Sequence, residues 1–129
     1  MLQIDPGDPT PIYVQLERAI RVAIATGRLG VGDRLPTVRQ LAVELRVNAN
    51  TVAKVYGELE HAGALETRRG VGTFVRHGGA DRDPPGARDR RLAELADRFL
   101  AEASTQGFSG GELVNHLTLR LNDKGKGHA

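Results

Sequence analysis

The chain has 129 residues, enough for one ordinary domain or a small domain with an appendage, and too few for two large ones. Its 18 Lys and Arg stand against 16 Asp and Glu, a formal charge of only +2, so net charge does not by itself mark a nucleic-acid binder. The absence of cysteine excludes disulfides and thiolate metal or redox sites and suits a reducing cytoplasm. No apolar run approaches the ~20 residues of a membrane span, and an amino terminus bearing Asp5 and Asp8 is no signal peptide, so the expected location is the cytoplasm.

In chain order, Thr10 followed by Pro11 reads as a helix start, with Thr10 as the cap, and Ile12, Leu16, Ile20 and Ile24 recur every four residues. A helix is predicted over 11–26, ended by Gly27, with the stretch from Gly30 to Pro36 irregular. Thr37-Val38-Arg39-Gln40 has the form of a capping box, opening a short helix over 38–45 with Val38, Leu41, Ala42 and Leu45 inward. Val47 and Asn48 make a tight break, and Asn48 caps a third helix running to Ala62 with Val52, Val55, Tyr56 and Leu59 on its apolar side. Two short helices across so brief a turn predict a helix-turn-helix. Gly63 closes the third helix, and 64–69 and 73–76 flank Gly70-Val71-Gly72 as a small hairpin whose glycines permit positive φ.

The predicted architecture is mainly α with a small β hairpin: an N-terminal winged helix-turn-helix over 1–77, followed by a two-helix dimerisation appendage. Residues 78–87, rich in Gly, Pro and Asp, read as a linker. Helices over 88–105 and 110–122 follow, the second behind a capping box at Ser109 and Glu112, with a disordered tail over 123–129. A unit of roughly 35 residues without metal or disulfide gains stability from oligomerisation. The expected dimer contacts are Leu92, Leu95, Phe99, Leu100, Leu113, Leu117 and Leu121.

Placing Val52, Val55, Tyr56 and Leu59 inward turns Asn50, Lys54 and His61 to the opposite side of the third helix, with Thr51 at its flank. Amides and cations near the amino end of a recognition helix are the groups that pair with base edges and phosphates in the major groove. Arg39 lies off the apolar face of the second helix, and Arg68 and Arg69 lead into the hairpin tip. Gly70 and Gly72 serve as turn residues and would also let backbone N–H groups approach phosphate. Arg34, Arg46 and Arg76 read as peripheral phosphate contacts or ordinary solvated surface. His61, His77, His116 and His128 show no metal-ligand spacing, no Gly-rich strand-to-helix nucleotide signature occurs, and no cofactor, metal or catalytic residue is expected.

Residues 11–75 carry PIY-Q, G-L--G--LP--R-LA--L-V---TV---Y--LE--G and G-GTFV at fixed spacing, and this pattern resembles the amino-terminal domain of GntR-family regulators. The resemblance implies a homodimer on an inverted-repeat operator in double-stranded DNA, with the third helix in the major groove and the wing tip at the minor groove. It assigns DNA-binding roles to Arg39, to the stretch from Asn48 to Lys54 and to Gly70. Some relatives carry arginine within the recognition helix, where this chain has Ala49, Asn50, Thr51, Val52 and Ala53, so guanine reading falls to Arg39. About 50 residues after the winged helix hold neither a large effector domain nor an aminotransferase-like one. A two-helix appendage is similar to the YtrA subfamily, whose genes often neighbour transporter genes. A repressor is the expected function, with a small-molecule effector of unknown identity as a further partner. The alternatives are a non-regulatory DNA-binding accessory factor and a winged-helix protein-interaction module.

Overall fold

The computed structural model of the chain describes residues 2–76 and 84–127, with side chains to residue 122. It divides into two compact units, 1–78 and 79–129. The first holds α1 (Ile12–Ala25), α2 (Val38–Leu45), α3 (Ala49–His61), β1 (Leu65–Arg68) and β2 (Gly72–Val75); the second holds α4 (Ala87–Thr105) and α5 (Gly110–Gly127).

The fourfold repeat of α1 buries Leu16 and Ile20 completely, with Ile12 and Ile24 half-buried at its ends. On α3 all of Val52, Val55, Tyr56 and Leu59 are buried, and Leu41 and Ala42 of α2 join them. β1 pairs antiparallel with β2, Leu65 opposite Val75, and both of these residues enter the same core from the root of the hairpin. The connector before α2, expected to be irregular, instead supports the hairpin. Arg34 bridges to Phe74, the Leu35 N–H donates to the Thr73 carbonyl at 2.8 Å, and the Gly32 N–H donates to that of Val75 at 2.8 Å. Backbone groups of a buried-side segment need partners, and β2 has an unpaired edge to supply them.

Tyr56 ties α3 to this connector. Its hydroxyl donates to the Pro36 carbonyl at 2.7 Å, and burial, with a smaller contribution from Glu44, pushes its pKa up to about 12. Tyr56→Phe leaves the carbonyl without that donor and is expected to cost about 1–2 kcal/mol in denaturant unfolding. The raised pKa means that folding favours the protonated phenol, so this contribution is whole below about pH 10 and is lost as pH rises toward 12. Alkaline melts of the Phe variant should lack that component.

Local signals hold with three adjustments. The Thr37–Gln40 capping box is formed in both directions, and so is that of Ser109 and Glu112. Thr10, however, is not the cap of α1. Pro11 occupies that position without a side-chain bond, while the Gln15 amide gathers the chain by donating to the Thr10 and Asp5 carbonyls at 2.8 and 3.0 Å. Between α2 and α3 the turn is made by Arg46, which caps α2 in the left-handed region at φ 58° and precedes the Val47–Asn48 break. The first hairpin strand is shorter than expected, and the second keeps its length but is shifted by one residue, so that Gly72 lies in β2 rather than in the tip.

In the second unit Pro84–Gly86 turns into α4, and 77–83, most of the expected linker, lie outside the described residues. α5 runs to Gly127 rather than stopping at 122. The apolar repeat ends at Leu121, but a solvated helix continues past its last apolar residue as long as no cap or proline halts it; residues 128 and 129 lie outside the described ones. Among the described residues, no helix is long and apolar enough to cross a membrane.

Candidate nucleic-acid interface

α3 packs against α1, α2 and β1. Asn48 caps it, its side-chain oxygen accepting from the Asn50 N–H at 2.7 Å. That commits the Asn48 oxygen to the helix, leaving its NH₂ to face outward. Asn50 and Lys54 are exposed and Thr51 is half-buried, as the helical projection predicts. Neither α2 nor α3 has an acidic residue in its first turn. The positive ends of both helix dipoles are therefore not neutralised by their own side chains, a condition that favours phosphate.

Arg39, the second residue of α2, is exposed and has no hydrogen-bond or ion-pair partner among the described residues. Its planar fork is available for bidentate pairing. Lys54 is less free than the sequence suggests, because its Nζ lies 4.4 Å from the centre of the Tyr13 ring on α1. This contact, which depends on how α1 crosses α3, is not legible in either helix alone. Lys54→Ala should cost about 0.5–1 kcal/mol of stability. It should also weaken operator and scrambled DNA alike, reducing the salt slope of binding by about one. A loss confined to the operator duplex would contradict a phosphate role.

At the hairpin, the two wing arginines separate. Arg68 is drawn along the strand, 3.7 Å from Glu66 and 4.6 Å from the Phe74 ring centre. Arg69 stands in the turn, exposed, and the Val71 N–H closes that turn on the Arg68 carbonyl at 2.9 Å. Gly70 is its third residue at φ 75°, where any side chain would be strained although the space is open. Gly72 has a different reason to be glycine. A Cβ there would come within 2.7 Å of Arg34 Nε, so the missing side chain makes room for the Arg34 guanidinium. Arg34 thereby joins the hairpin, a placement with no signal in the sequence. The Thr67 hydroxyl donates to Glu60 Oε2 at 3.2 Å and braces β1 against α3.

The geometry is that of a winged helix with a polar helix end, free of acidic residues in its first turn, beside a basic turn, and known proteins share it. Residues 12–75 match the model of bacterial regulatory proteins of the gntR family. The HTH-type transcriptional regulator Rv1152 of Mycobacterium tuberculosis is 37% identical over 117 residues, which cover 91% of this chain and 91% of that protein. The chain belongs to the gntR family. Within it the chain is of the YtrA type. The HTH-type transcriptional repressor YtrA of Bacillus subtilis (strain 168) is 47% identical over 75 residues, a stretch that spans 58% of each protein. The solved structure of YtrA from Sulfolobus acidocaldarius, a GntR-family transcription factor, matches with a TM-score of 0.57 at 33% identity, covering 78% of this chain and 97% of that one. The DNA-binding domain of AraR, solved in complex with operator ORX1, matches with a TM-score of 0.51 at 30% identity, over 57% of this chain and 92% of that domain. This gntR-family chain is a DNA-binding transcription regulator and not an enzyme.

Proposed function

We propose that this regulator represses transcription by binding an inverted-repeat operator as a homodimer in the cytoplasm, with transporter genes among its targets, as its likeness to the YtrA subfamily implies. α3 lies in the major groove, where Asn50 and Thr51 meet base edges; Arg39 pairs with guanine; Asn48, Lys54, Arg68, Arg69 and the backbone at Gly70 and Gly72 hold phosphate or the minor groove. The repressor assignment follows the relative named YtrA.

One observation carries the homodimer. Among the described residues of the second unit, Ala103 is the sole buried apolar side chain, while Leu92, Phe99, Leu117 and Leu121 are 50% or more exposed. Leu95, Leu100 and Val114 are exposed with them, and Leu113 is half-buried. So much apolar surface on a two-helix unit needs a cover, and a second copy supplies one while placing two recognition helices for two half-sites. A small-molecule effector would act on this unit by binding one spacing of the recognition helices better than another. Operator affinity that stays constant across candidate effectors in calorimetry would contradict that arm.

The test is transcription in vitro from the promoter upstream of the chain's own gene, with sedimentation of the complex. The proposal expects fewer transcripts as protein is added and two chains per duplex. Raised transcription, or one chain per duplex, contradicts it.

A further inference from the structure

The two faces of the hairpin differ in charge. Leu65 and Val75 are buried, the Thr67 hydroxyl reaches Glu60 of α3, and the Thr67 and Thr73 hydroxyl oxygens lie 3.3 Å apart, so this set faces the core and α3. Alternation along the strands puts Glu66, Arg68, Gly72 and Phe74 on the opposite face, turned away from α3. The connector before α2 adds Arg34 to that outer face. The bond from the Leu35 N–H to the Thr73 carbonyl and another from the Val75 N–H to the Asp33 carbonyl at 2.9 Å flank Arg34 and Phe74. A pair bounded in this way is the closely spaced kind, with both side chains on one side of the sheet. Leu35, the next residue, is correspondingly buried.

Gly72 then decides where Arg34 goes. A Cβ at position 72 would stand 2.7 Å from Arg34 Nε and 3.3 Å from its Cζ, so the guanidinium occupies the space that a side chain at 72 would take. Arg68 is the register partner of Gly72, and its guanidinium lies over Phe74, two positions along the same face. Same-face neighbours on a strand are about 7 Å apart, so two guanidiniums stand side by side on the outer face of the wing. Arg34 is exposed and has no hydrogen-bond or ion-pair partner among the described residues. The Arg68 side chain is half-exposed.

The charges of this face do not balance. Glu66, 3.7 Å from Arg68, is its one carboxylate among the described residues, and Asp33 has an oxygen on the Gly30 N–H at 2.8 Å. Two like charges this close repel, and one exposed carboxylate offsets only one of them. An anion with several acceptor oxygens relieves the excess, and the free fork of Arg34 suits a phosphate.

A hairpin whose tip lies at the minor groove has a sugar–phosphate strand on either side of it. Its α3 face meets the strand that also borders the major groove holding α3, and its outer face meets the strand beyond. We propose that Arg34, seated over Gly72 beside Arg68, binds a phosphate of that far strand, so that the wing grips the minor groove by both walls. This rests on the wing placement proposed above and adds to it a DNA contact supplied by the connector.

The test is phosphate-ethylation interference with the full-length protein on a duplex that it enriches from a random pool. Arg34→Met keeps the stem that lies on Gly72 and removes the charge. Ethylation should block the unaltered protein on both strands of the minor groove beside the α3 contacts, and Arg34→Met should lose the far-strand positions alone. The variant should also bind enriched and scrambled duplexes about fivefold more weakly, with a salt slope shallower by about one for each chain bound. Arg34→Lys, which keeps the charge, should recover most of that slope. Far-strand interference that is absent from the unaltered protein, or that persists in Arg34→Met, overturns the proposal. Loss on both strands at once, or a lowered melting temperature with an unchanged salt slope, means that Arg34 only braces the hairpin and overturns it too. Enrichment of no duplex by the unaltered protein instead fails the operator reading on which the wing placement rests.

Discussion

Removing residues 78–129 is expected to leave a folded monomer whose affinity for a full operator is about 10²- to 10⁴-fold lower. The fold survives because the first unit has its own core. Leu16, Ile20, Leu41, Val52, Val55, Leu59 and Leu65 are each at most 1% exposed, and the core cluster they form is made of first-unit residues. The affinity falls because a dimer presents its second recognition helix at high effective concentration once the first half-site is filled, and a monomer must bind the two half-sites independently. A cooperative thermal melt, sedimentation at the monomer mass and anisotropy on full and half operators check the three parts of this expectation. A truncated chain that stays dimeric, or that binds the full operator as tightly as the intact protein, contradicts the role given to α4 and α5.

The second large effect is expected at Arg39. An arginine that pairs with both acceptors of guanine contributes discrimination as well as attraction, so Arg39→Ala should weaken operator binding by about 1–3 kcal/mol, roughly 5- to 150-fold. A scrambled duplex should lose much less. Arg39→Lys keeps the charge and removes the fork, so it should retain phosphate-level attraction while relaxing the sequence preference. Titration of each variant against both duplexes at one salt concentration measures the ratio that matters. An equal loss on the two duplexes would move Arg39 to the phosphate contacts.

Much of the fold is legible because it rests on local rules. The 3.6-residue repeat places Leu16 and Ile20, and Val52, Val55 and Leu59, in the core. The threonine and serine capping boxes mark two helix starts to the residue. The failures have local causes as well. Thr10-Pro11 has the composition of a cap, but Thr10 N–H is bound by the Asp8 carboxylate at 2.8 Å and the helix begins one residue later. Arg46 makes a left-handed turn with no glycine to announce it. What the sequence does not show is set by packing between distant segments. Tyr56 reaches Pro36 across 20 positions, Arg34 lies against Gly72, and Tyr13 holds Lys54. These contacts decide which cations remain free at the interface. They leave Arg39 and Arg69 outward and hold Arg68 and Lys54 against rings, a sorting that residue counts cannot provide.

The most direct test of the account is fluorescence anisotropy of the intact protein on a labelled duplex from upstream of its own gene, beside a scrambled duplex, over a series of salt concentrations. The account predicts tighter binding to the first duplex, a steep fall in affinity for both as salt rises, and a preference that survives the rise. Equal affinity for the two duplexes at every salt concentration would contradict an operator-reading interface on α2 and α3, and no binding at low salt would contradict the DNA interface itself.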